Sequence, residues 1–405
     1  MSIPEIATSI QTVFDRYLHG VQSFRKAHRS PQSFEGLNSG EFFARDMTQL
    51  IEHRMRYTGW RPSGTQNASG SCRFIATLDR KWVALHLARR SDLELMSLVL
   101  DLPQLEFVDE ETWAAVRKAI AQWNADDLLT SVSDLGIPLS LVGEVRWPGA
   151  MDVLPVHLRH VTKDLINRTK SSGRQWRVVD LSSLWAGPLC SRLLMDAGFH
   201  VTTIESAQRP DPTKQQHPEF YADLHSEKNS STVDFDNPGD FQQLSELLAS
   251  CDVVVTGSRR RAFDHLGIDI DQVLASSQPS VWVSITGYGY WGPGELRVGF
   301  GDDCAAAGGL VVGGSSKRGG APGFMGDAIA DPITGVIAAA AVLDWLVGGD
   351  SNGINPVELL MSSVRESAPK QGLHLQISLA ECANWVSRGG QVSTDRRDWT
   401  NEGRL

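Results

Sequence analysis

The stretch that decides the fold runs from Trp176 to Glu205: WRVVDLSSLWAGPLCSRLLMDAGFHVTTIE. Its opening, WRVVDL at 176–181, is a short apolar run suited to a parallel strand buried on both faces. GPLCSRLLMDAG at 187–198 is an amphipathic helix closing on Gly198, and FHVTTIE at 199–205 returns to strand character. Between strand and helix lies the turn Ala186-Gly187-Pro188. Proline in a first helical turn beside glycine leaves free N–H groups at the helix N-terminus, a natural place for an anion. The turn is not G-x-G-x-x-G, so it carries no dinucleotide fingerprint.

The same alternation continues outward. SELLASC at 245–251 and IDQVLASS at 270–277 read as helices, and DVVVTG at 252–257 and VWVSITG at 281–287 as strands. Such β-α-β order predicts an α/β fold with a doubly wound parallel, Rossmann-like sheet and ligands at the carboxyl ends of its strands. Residues 1–170 have another texture, mostly helical, interrupted by a hairpin CRFIATLDRKWVALHLA at 72–88 that turns at Asp79 and Arg80. ETWAAVRKAIAQWNADDLLTSVSDLGIP at 111–138 is helical and closes at Gly136 before Pro138, with a fresh helix start at Asn124. The polar run NRTKSSGRQ at 167–175 reads as a linker. The chain is therefore expected to divide into a helical segment with a small α+β domain, residues 1–170, and a Rossmann-like domain, 175–405.

With 405 residues, 41% of them hydrophobic and 21% charged, the composition excludes collagen-like, coiled-coil and largely disordered chains. A net charge of −10 argues against nucleic acid or an anionic membrane as partner, while leaving room for a local basic site. Cys72, Cys190, Cys251, Cys304 and Cys382 are scattered, without C-x-x-C or a histidine at ligand spacing. They read as reduced thiols, so neither a disulfide frame nor a metal site is expected. The N-terminus lacks a secretory pattern. The apolar stretch 328–347 contains Asp331, Pro332 and Asp344, which fits a buried helix better than a membrane span. A cytoplasmic location is expected. Fourteen of the 37 glycines fall in 287–326, too many for a compact run of regular elements. That segment reads either as a long mobile loop or as backbone brought close to a ligand.

Taken together, these segments resemble the class III CoA-transferase family, which includes formyl-CoA and carnitine CoA-transferases and α-methylacyl-CoA racemases. The strand, Ala-Gly-Pro turn, Leu-rich helix and strand ending in Glu205 are similar to the family's opening. LHSEKNSSTVDF at 224–235 is similar to its Asn-x-x-Lys stretch, with Lys228 and Asp234 in register and His225 in place of the Asn. DVVVTGSRRRAFDHLGI at 252–268 follows the family's strand, basic turn and Leu-Gly. QPSVWVSITGYGYWGPG at 278–294 matches its Ser-Gly-Tyr-Gly-x-x-Gly-Pro signature, the most specific of the set. GDAIADPITGVIAAAAVL at 326–343 resembles the segment carrying the family's catalytic aspartate, and QISLAECA at 376–383 its next strand-to-helix step. Several independent motifs in one order over about 176–390 make a chance match a poor explanation. Residues 71–96 and 113–142 resemble a small domain that in the family lies downstream of the catalytic aspartate, so the chain looks circularly permuted. Permutation is tolerated where termini lie close at the surface.

The resemblance implies a CoA-transferase acting on an acyl-CoA and a carboxylic acid, with coenzyme A as substrate and no metal. It also implies a homodimer, while the net charge argues against nucleic acid and membrane as partners. It places the nucleophile at Asp331, attacking the thioester to give a mixed anhydride and then an aspartyl-CoA thioester. Read alone, Asp331 before Pro332 is a helix N-cap; the two roles are compatible, because a helix N-terminus favours an ionised carboxylate. Arg259, Arg260 and Arg261 are the candidates for the CoA phosphates, with Arg209 and Lys228 assisting, although a three-arginine run also fits a solvated turn. Ala186, Gly187, Pro188, Gly287, Tyr288 and Gly289 complete the expected CoA site. The family's Gly-rich oxyanion loop would fall around Ser63, Gly64, Ser69 and Gly70, in a run that also reads as a plain linker.

Three departures bear on the reaction. Racemases of the family carry a histidine just after the Gly-Pro segment, where FGDDCAAAGG at 300–309 offers Asp302 and Asp303. Many of the transferases have Gln where this chain has Trp185. His225 replaces the family Asn. An acyl-CoA racemase, isomerase or lyase using Asp331 with Asp302 or Asp303, and a non-catalytic CoA-binding module, therefore stand beside the transferase reading.

Overall fold

The structure is a computed structural model that describes residues 2–27, 47–162, 175–276, 280–313, 320–348 and 371–392; the expected linker at 167–175 lies almost wholly outside them. Twelve strands are described: β1 (Cys72–Ala76), β2 (Trp82–His86), β3 (Leu139–Leu141), β4 (His157–Thr162), β5 (Arg177–Leu181), β6 (His200–Ser206), β7 (Asn229–Val233), β8 (Val253–Thr256), β9 (Val281–Thr286), β10 (Val312–Gly313), β11 (Pro322–Gly323) and β12 (Gln371–Ser378). Seven of them form one sheet in the order β4-β12-β9-β8-β5-β6-β7. All neighbours are parallel except β4, which runs antiparallel to β12 at the edge.

Side-chain alternation explains why the central strands read as unbroken apolar runs. Val178, Val253, Val255, Val281 and Val283 face one core, together with the helices Ile3–Ala27, Ala186–Ala197, Ala330–Gly348 and Leu379–Ser387. Val179, Val254 and Trp282 face the other, beneath Pro238–Ser250, Arg260–Leu266 and Ile270–Ser276. A strand buried on both sides needs apolar residues on both faces, which β-branched side chains fill well, and β8 supplies three valines in a row. This is the doubly wound α/β arrangement that the sequence predicts.

The hairpin at 72–88 forms β1 and β2, pairing Cys72 with His86 and Ala76 with Trp82, and Arg80 takes a φ of 60° at the turn. β3 completes a three-stranded antiparallel sheet covered by the helices Arg90–Val99, Glu110–Ile120 and Ala125–Ser133. Asn124 stands at the N-cap position as expected, yet its side chain makes no cap bond. The Ala125 N–H instead donates to Asp79 Oδ1 at 3.1 Å, so the hairpin turn caps the helix.

The described part of residues 1–170 contributes to three cores, one of them shared with the large sheet and one formed by Cys72, Phe74 and Ala84 with Ala306 and Phe324. Helix Ile3–Ala27 packs along Ala330–Gly348, where Arg16 Nε meets Asp344 Oδ2 at 2.5 Å, and β4 joins the large sheet. At the other end, the Val392 N–H donates to Thr12 Oγ1 at 3.2 Å, bringing the last described residues onto that first helix.

The glycine-rich segment corrects an expectation, because it holds the helix Gly301–Ala307 and the β10–β11 ladder. Several of its glycines mark close packing: a Cβ at Gly308 would lie 2.5 Å from the Asn384 nitrogen and 2.6 Å from the Ala380 oxygen. Among the described residues no helix is long and apolar enough to cross a membrane.

Candidate active site

From β5 the chain winds outward to β6 and β7, then returns to β8 on the other side, so a switch point lies between the carboxyl ends of β5 and β8. A Cβ on Gly257, after β8, would lie 3.8 Å from that of Ser182, after β5. The Ala186-Gly187-Pro188 turn sits here and is buried. Any side chain at Gly187 would overlap Ser182, and a Cβ at Gly335 would lie 2.8 Å from the Ala186 oxygen. Gly335 thus lets the Asp331 helix lie against the Ala186 helix, while Gly187 lets the start of the latter close over Ser182. Leu184, just ahead of the turn, has φ +69° and donates its N–H to Asp211 Oδ2 at 2.8 Å.

Lys228 has a structural post instead of a phosphate-facing one. Its ammonium is buried and reaches Ser191 Oγ at 2.7 Å, the Pro188 oxygen at 2.9 Å and Asp180 Oδ2 at 3.4 Å. Three N–H donors meet three internal acceptors, which leaves none for CoA. Lys228→Met is expected to cost about 3–5 kcal/mol by stranding the buried Asp180 carboxylate, read as a lower melting midpoint. A normal melt with weakened CoA binding would return Lys228 to the site. His225 is half-buried against Tyr221, with ring centroids 4.1 Å apart and neither ring nitrogen hydrogen-bonded among the described residues. Burial and the neighbouring Lys228 push its pKa down to about 4.

Asp331 lies in the first turn of Ala330–Gly348, one position inside the helix instead of at the N-cap. Around it gather Asp302 and Asp303 from the Gly301–Ala307 helix and Asp327 from the preceding turn, all three buried. Each of those three is committed. Asp302 accepts from Asn67 Nδ2 at 2.6 Å and from the Ala328 N–H at 2.8 Å. Asp303 accepts from the Phe300 N–H and the Tyr288 hydroxyl, both at 2.8 Å. Asp327 is forked by Arg54, with Nε at 2.6 Å from Oδ2 and Nη2 on Oδ1. Asp331 is half-buried, and no side-chain hydrogen bond reaches its carboxylate among the described residues. Burial raises its pKa to about 7; Arg54 opposes that rise, and Asp302, Asp327 and Asp303 add to it. Ala328, between Asp327 and Asp331, has φ +46°, a strained conformation for a residue with a Cβ.

The remaining expected residues fall in two places. Gly287 and Tyr288 pack inward: a Cβ at Gly287 would sit 2.9 Å from Gly299, and Arg297 lies over the Tyr288 ring at 3.7 Å. They shape the acid cluster through Asp303, while Gly289 turns the chain at φ +108°. Arg209 is exposed beyond β6, and Arg259, Arg260 and Arg261 come after β8. Arg259 Nη1 donates to the Leu296 oxygen at 2.5 Å; Arg260 stacks on Trp291 at 3.9 Å; Arg261 is exposed. Burial, with Arg89 and Arg261 nearby, lowers the Arg259 pKa, while Arg89 is paired with Asp92 at 2.5 Å and Arg260 with Asp264 at 3.6 Å and Glu295 at 3.8 Å.

The expected glycine loop reaches the acid cluster through residues that sequence reading missed. Ser63 bridges Gln66, and Ser69 Oγ lies 3.1 Å from Asn67 Nδ2, which in turn binds Asp302. Ser69 Oγ, Ser71 Oγ and His86 Nε2 form a chain with spacings of 2.7 and 2.8 Å, and His86 Nδ1 stands 3.6 Å from Asp303. A cavity lined by Gln66, Ser69, Gly70, Ser71 and Arg73 opens on this loop. Arg54, Asn67 and His86 carry no local motif, and only tertiary packing brings them to Asp331.

Residues 174–361 match the CoA-transferase family III sequence model. It is 27% identical over 192 residues to an acyl-CoA transferase of Fusarium pseudograminearum, covering 44% of this chain and 42% of that one. It is 28% identical over 178 residues to the succinyl-CoA:glutarate CoA-transferase of Homo sapiens, covering 42% and 40%. A solved CAIB/BAIF family protein from Brucella suis aligns over 52% of this chain and 53% of its own, at 26% identity and a TM-score of 0.41. The chain thus spans less than half the length of the curated relatives it matches.

Proposed function

We propose that the chain transfers CoA from an acyl-CoA to a carboxylic acid, with Asp331 as nucleophile. One observation carries the reading: of four clustered carboxylates, Asp331 alone is half-buried and without a side-chain hydrogen bond among the described residues. A nucleophile needs lone pairs free and low solvation, and a pKa near 7 keeps a useful ionised fraction at neutral pH. Asp331 attacks the donor thioester carbonyl, forming an anhydride and releasing CoA thiolate. The thiolate attacks the aspartyl carbonyl, giving an aspartyl-CoA thioester and freeing the donor acid. The acceptor carboxylate and the thiolate then repeat both steps in reverse order, restoring the Asp331 carboxylate. The relatives' names, which pair acyl-CoA donors with glutarate, D-citramalate or oxalate, support a carboxylic acid as acceptor.

Trapping distinguishes the chemistries. Hydroxylamine or borohydride is expected to capture an Asp331 thioester. Exchange of the substrate α-proton in deuterated water without capture would replace transfer with racemase chemistry. CoA binding with neither signal would leave a binding module.

Arg259 and Arg261, with Arg209 further along the strand ends, are the proposed phosphate contacts, alongside the Ala186–Pro188 helix start. The double charge reversal Arg259→Glu, Arg261→Glu is expected to weaken CoA binding at least tenfold, about 1.4 kcal/mol, and to flatten its salt dependence. Unchanged affinity in calorimetry would remove them from the site.

Two further points rest on the family resemblance. The order of the two units is read as a circular permutation, consistent with Val392 lying against Thr12. A chain recut to begin at residue 175, with its old ends linked, is expected to fold and react; insolubility would overturn this. A homodimer is expected in light scattering, and a monomer at working concentration would exclude it.

A further inference from the structure

We propose that Arg54 is a positioning residue that clamps the turn from Asp327 to Asp331 and supplies the positive charge against which the Asp331 carboxylate ionises. The inference rests on the reading of Asp331 as nucleophile. It concerns a residue outside the segment 174–361 that matches the family.

The geometry is two-sided. Arg54 belongs to the short helix His53–Thr58, which Gly59 ends at φ +67°. That helix is pinned from outside: His53 Nε2 lies 3.1 Å from Asp223 Oδ2, and the Tyr57 hydroxyl donates to the same carboxylate. On the inside the guanidinium forks Asp327 and lies 5.3 Å over the ring of the buried Trp185. The indole face and the carboxylate fork together fix both the plane and the depth of the cation. Trp185 immediately precedes the Ala186 helix, so one arginine spans the two helix starts that meet at Gly335.

The clamp on Asp327 acts on Asp331 through Ala328, the next residue in the turn. Ala328 is held at φ +46° with its N–H on Asp302 Oδ1, and its carbonyl accepts the Asp331 N–H at 2.9 Å. A strained residue persists only where its neighbours over-determine it. Arg54 on one side and Asp302 on the other supply that constraint, and the result is a fixed Asp331.

The charge balance points the same way. Asp331 faces Asp302, Asp303 and Cys304 from the Gly301–Ala307 helix, Asp327 from its own turn, and Arg54. His217 faces Arg54 and Asp327, and burial and Arg54 lower its pKa, so it brings no charge at neutral pH. Without Arg54, the fully buried Asp327 would lose its partner, and ionising Asp331 would add charge to an uncompensated acidic group.

The test separates this idea from the catalytic reading. A water-soluble carbodiimide labels only protonated carboxyls, and peptide mass spectrometry can track Asp331 labelling from pH 5 to 9 without turnover. In wild type the midpoint is expected near 7. In Arg54→Gln it is expected to rise by about one unit or more, and formation of a CoA adduct at pH 7 to fall at least about fivefold, with the ionisation part of that loss regained by pH 9 and only the slowing caused by the missing fork remaining there. Arg54→Lys keeps the charge without the fork. It is expected to hold the midpoint within about half a unit while slowing adduct formation at every pH. An unshifted midpoint in a folded Arg54→Gln, or wild-type adduct rates in Arg54→Lys should the glutamine variant fail to fold, overturns the proposal. Absence of any adduct in wild type counts against the nucleophile reading alone, because the labelling midpoint still reads the action of Arg54.

Discussion

After incubation with a panel of acyl-CoA donors, the intact wild-type protein is expected to gain the mass of one CoA, and Asp331→Asn to gain none. Removing a covalent nucleophile typically costs on the order of 10^3-fold or more in turnover, so loss in the variant should be complete on the assay's timescale. The pH dependence supplies a second signature. Burial lifts the Asp331 pKa from the ordinary carboxylate range to about 7, and only the ionised form attacks. Adduct formation should therefore plateau above pH 8 and fall about tenfold per unit below pH 6. A profile flat down to pH 5 would mean that the reacting group is an ordinary solvated carboxylate. An adduct that persists in Asp331→Asn would move the nucleophile elsewhere.

The second large effect is expected from Gly301→Ala. A Cβ there would lie 2.6 Å from Asp331 Oδ2 and closer still to the Ala328 carbonyl. Neither can retreat easily: Ala328 is pinned through its N–H to Asp302, and Asp331 is fixed by its helix. Overpacking of this kind costs about 1–3 kcal/mol, a modest drop in melting temperature. Displacing a reacting group by about an ångström costs roughly 100-fold in rate, so adduct formation should suffer far more than folding. CoA affinity should hold, because the basic cluster after β8 is untouched. Wild-type adduct rates in a folded variant would refute the placement of the Asp331 carboxylate over Gly301.

Legibility in the sequence tracked locality. β5, the Ala186 helix and β6 were readable because period and turn chemistry are contained within thirty residues. β4, HLRHVT, mixes polar and apolar residues at a sheet edge, and what makes it a strand is β12, far along the chain. The arginines after β8 lie at a strand end, as the sequence predicts, whereas Lys228, equally suggestive in sequence, is bonded to Asp180, Pro188 and Ser191. Asp331 was proposed through the resemblance of its segment to one of the family. Its surroundings were not legible, since Arg54, Asn67 and His86 come from three separate elements and meet only after folding. The absence of a histidine beside Asp302 in sequence did not foretell its absence in space.

The place of β12 in the large sheet also governs how this chain can be made. It inserts between β4 and β9, so until it leaves the ribosome β4 has no partner and β9 presents an open edge. β4 ends at residue 162 and β12 begins at 371. At about 5–20 residues per second, that gap of roughly 200 residues is some 10–40 s of synthesis. Through that interval the nascent chain carries exposed pairing edges, the condition in which strands find the wrong neighbour. Helix Ile3–Ala27 likewise waits for Ala330–Gly348. A product truncated before residue 371 would contain the whole family-matched segment and Asp331, yet leave β9 as an open edge and the protein prone to aggregate.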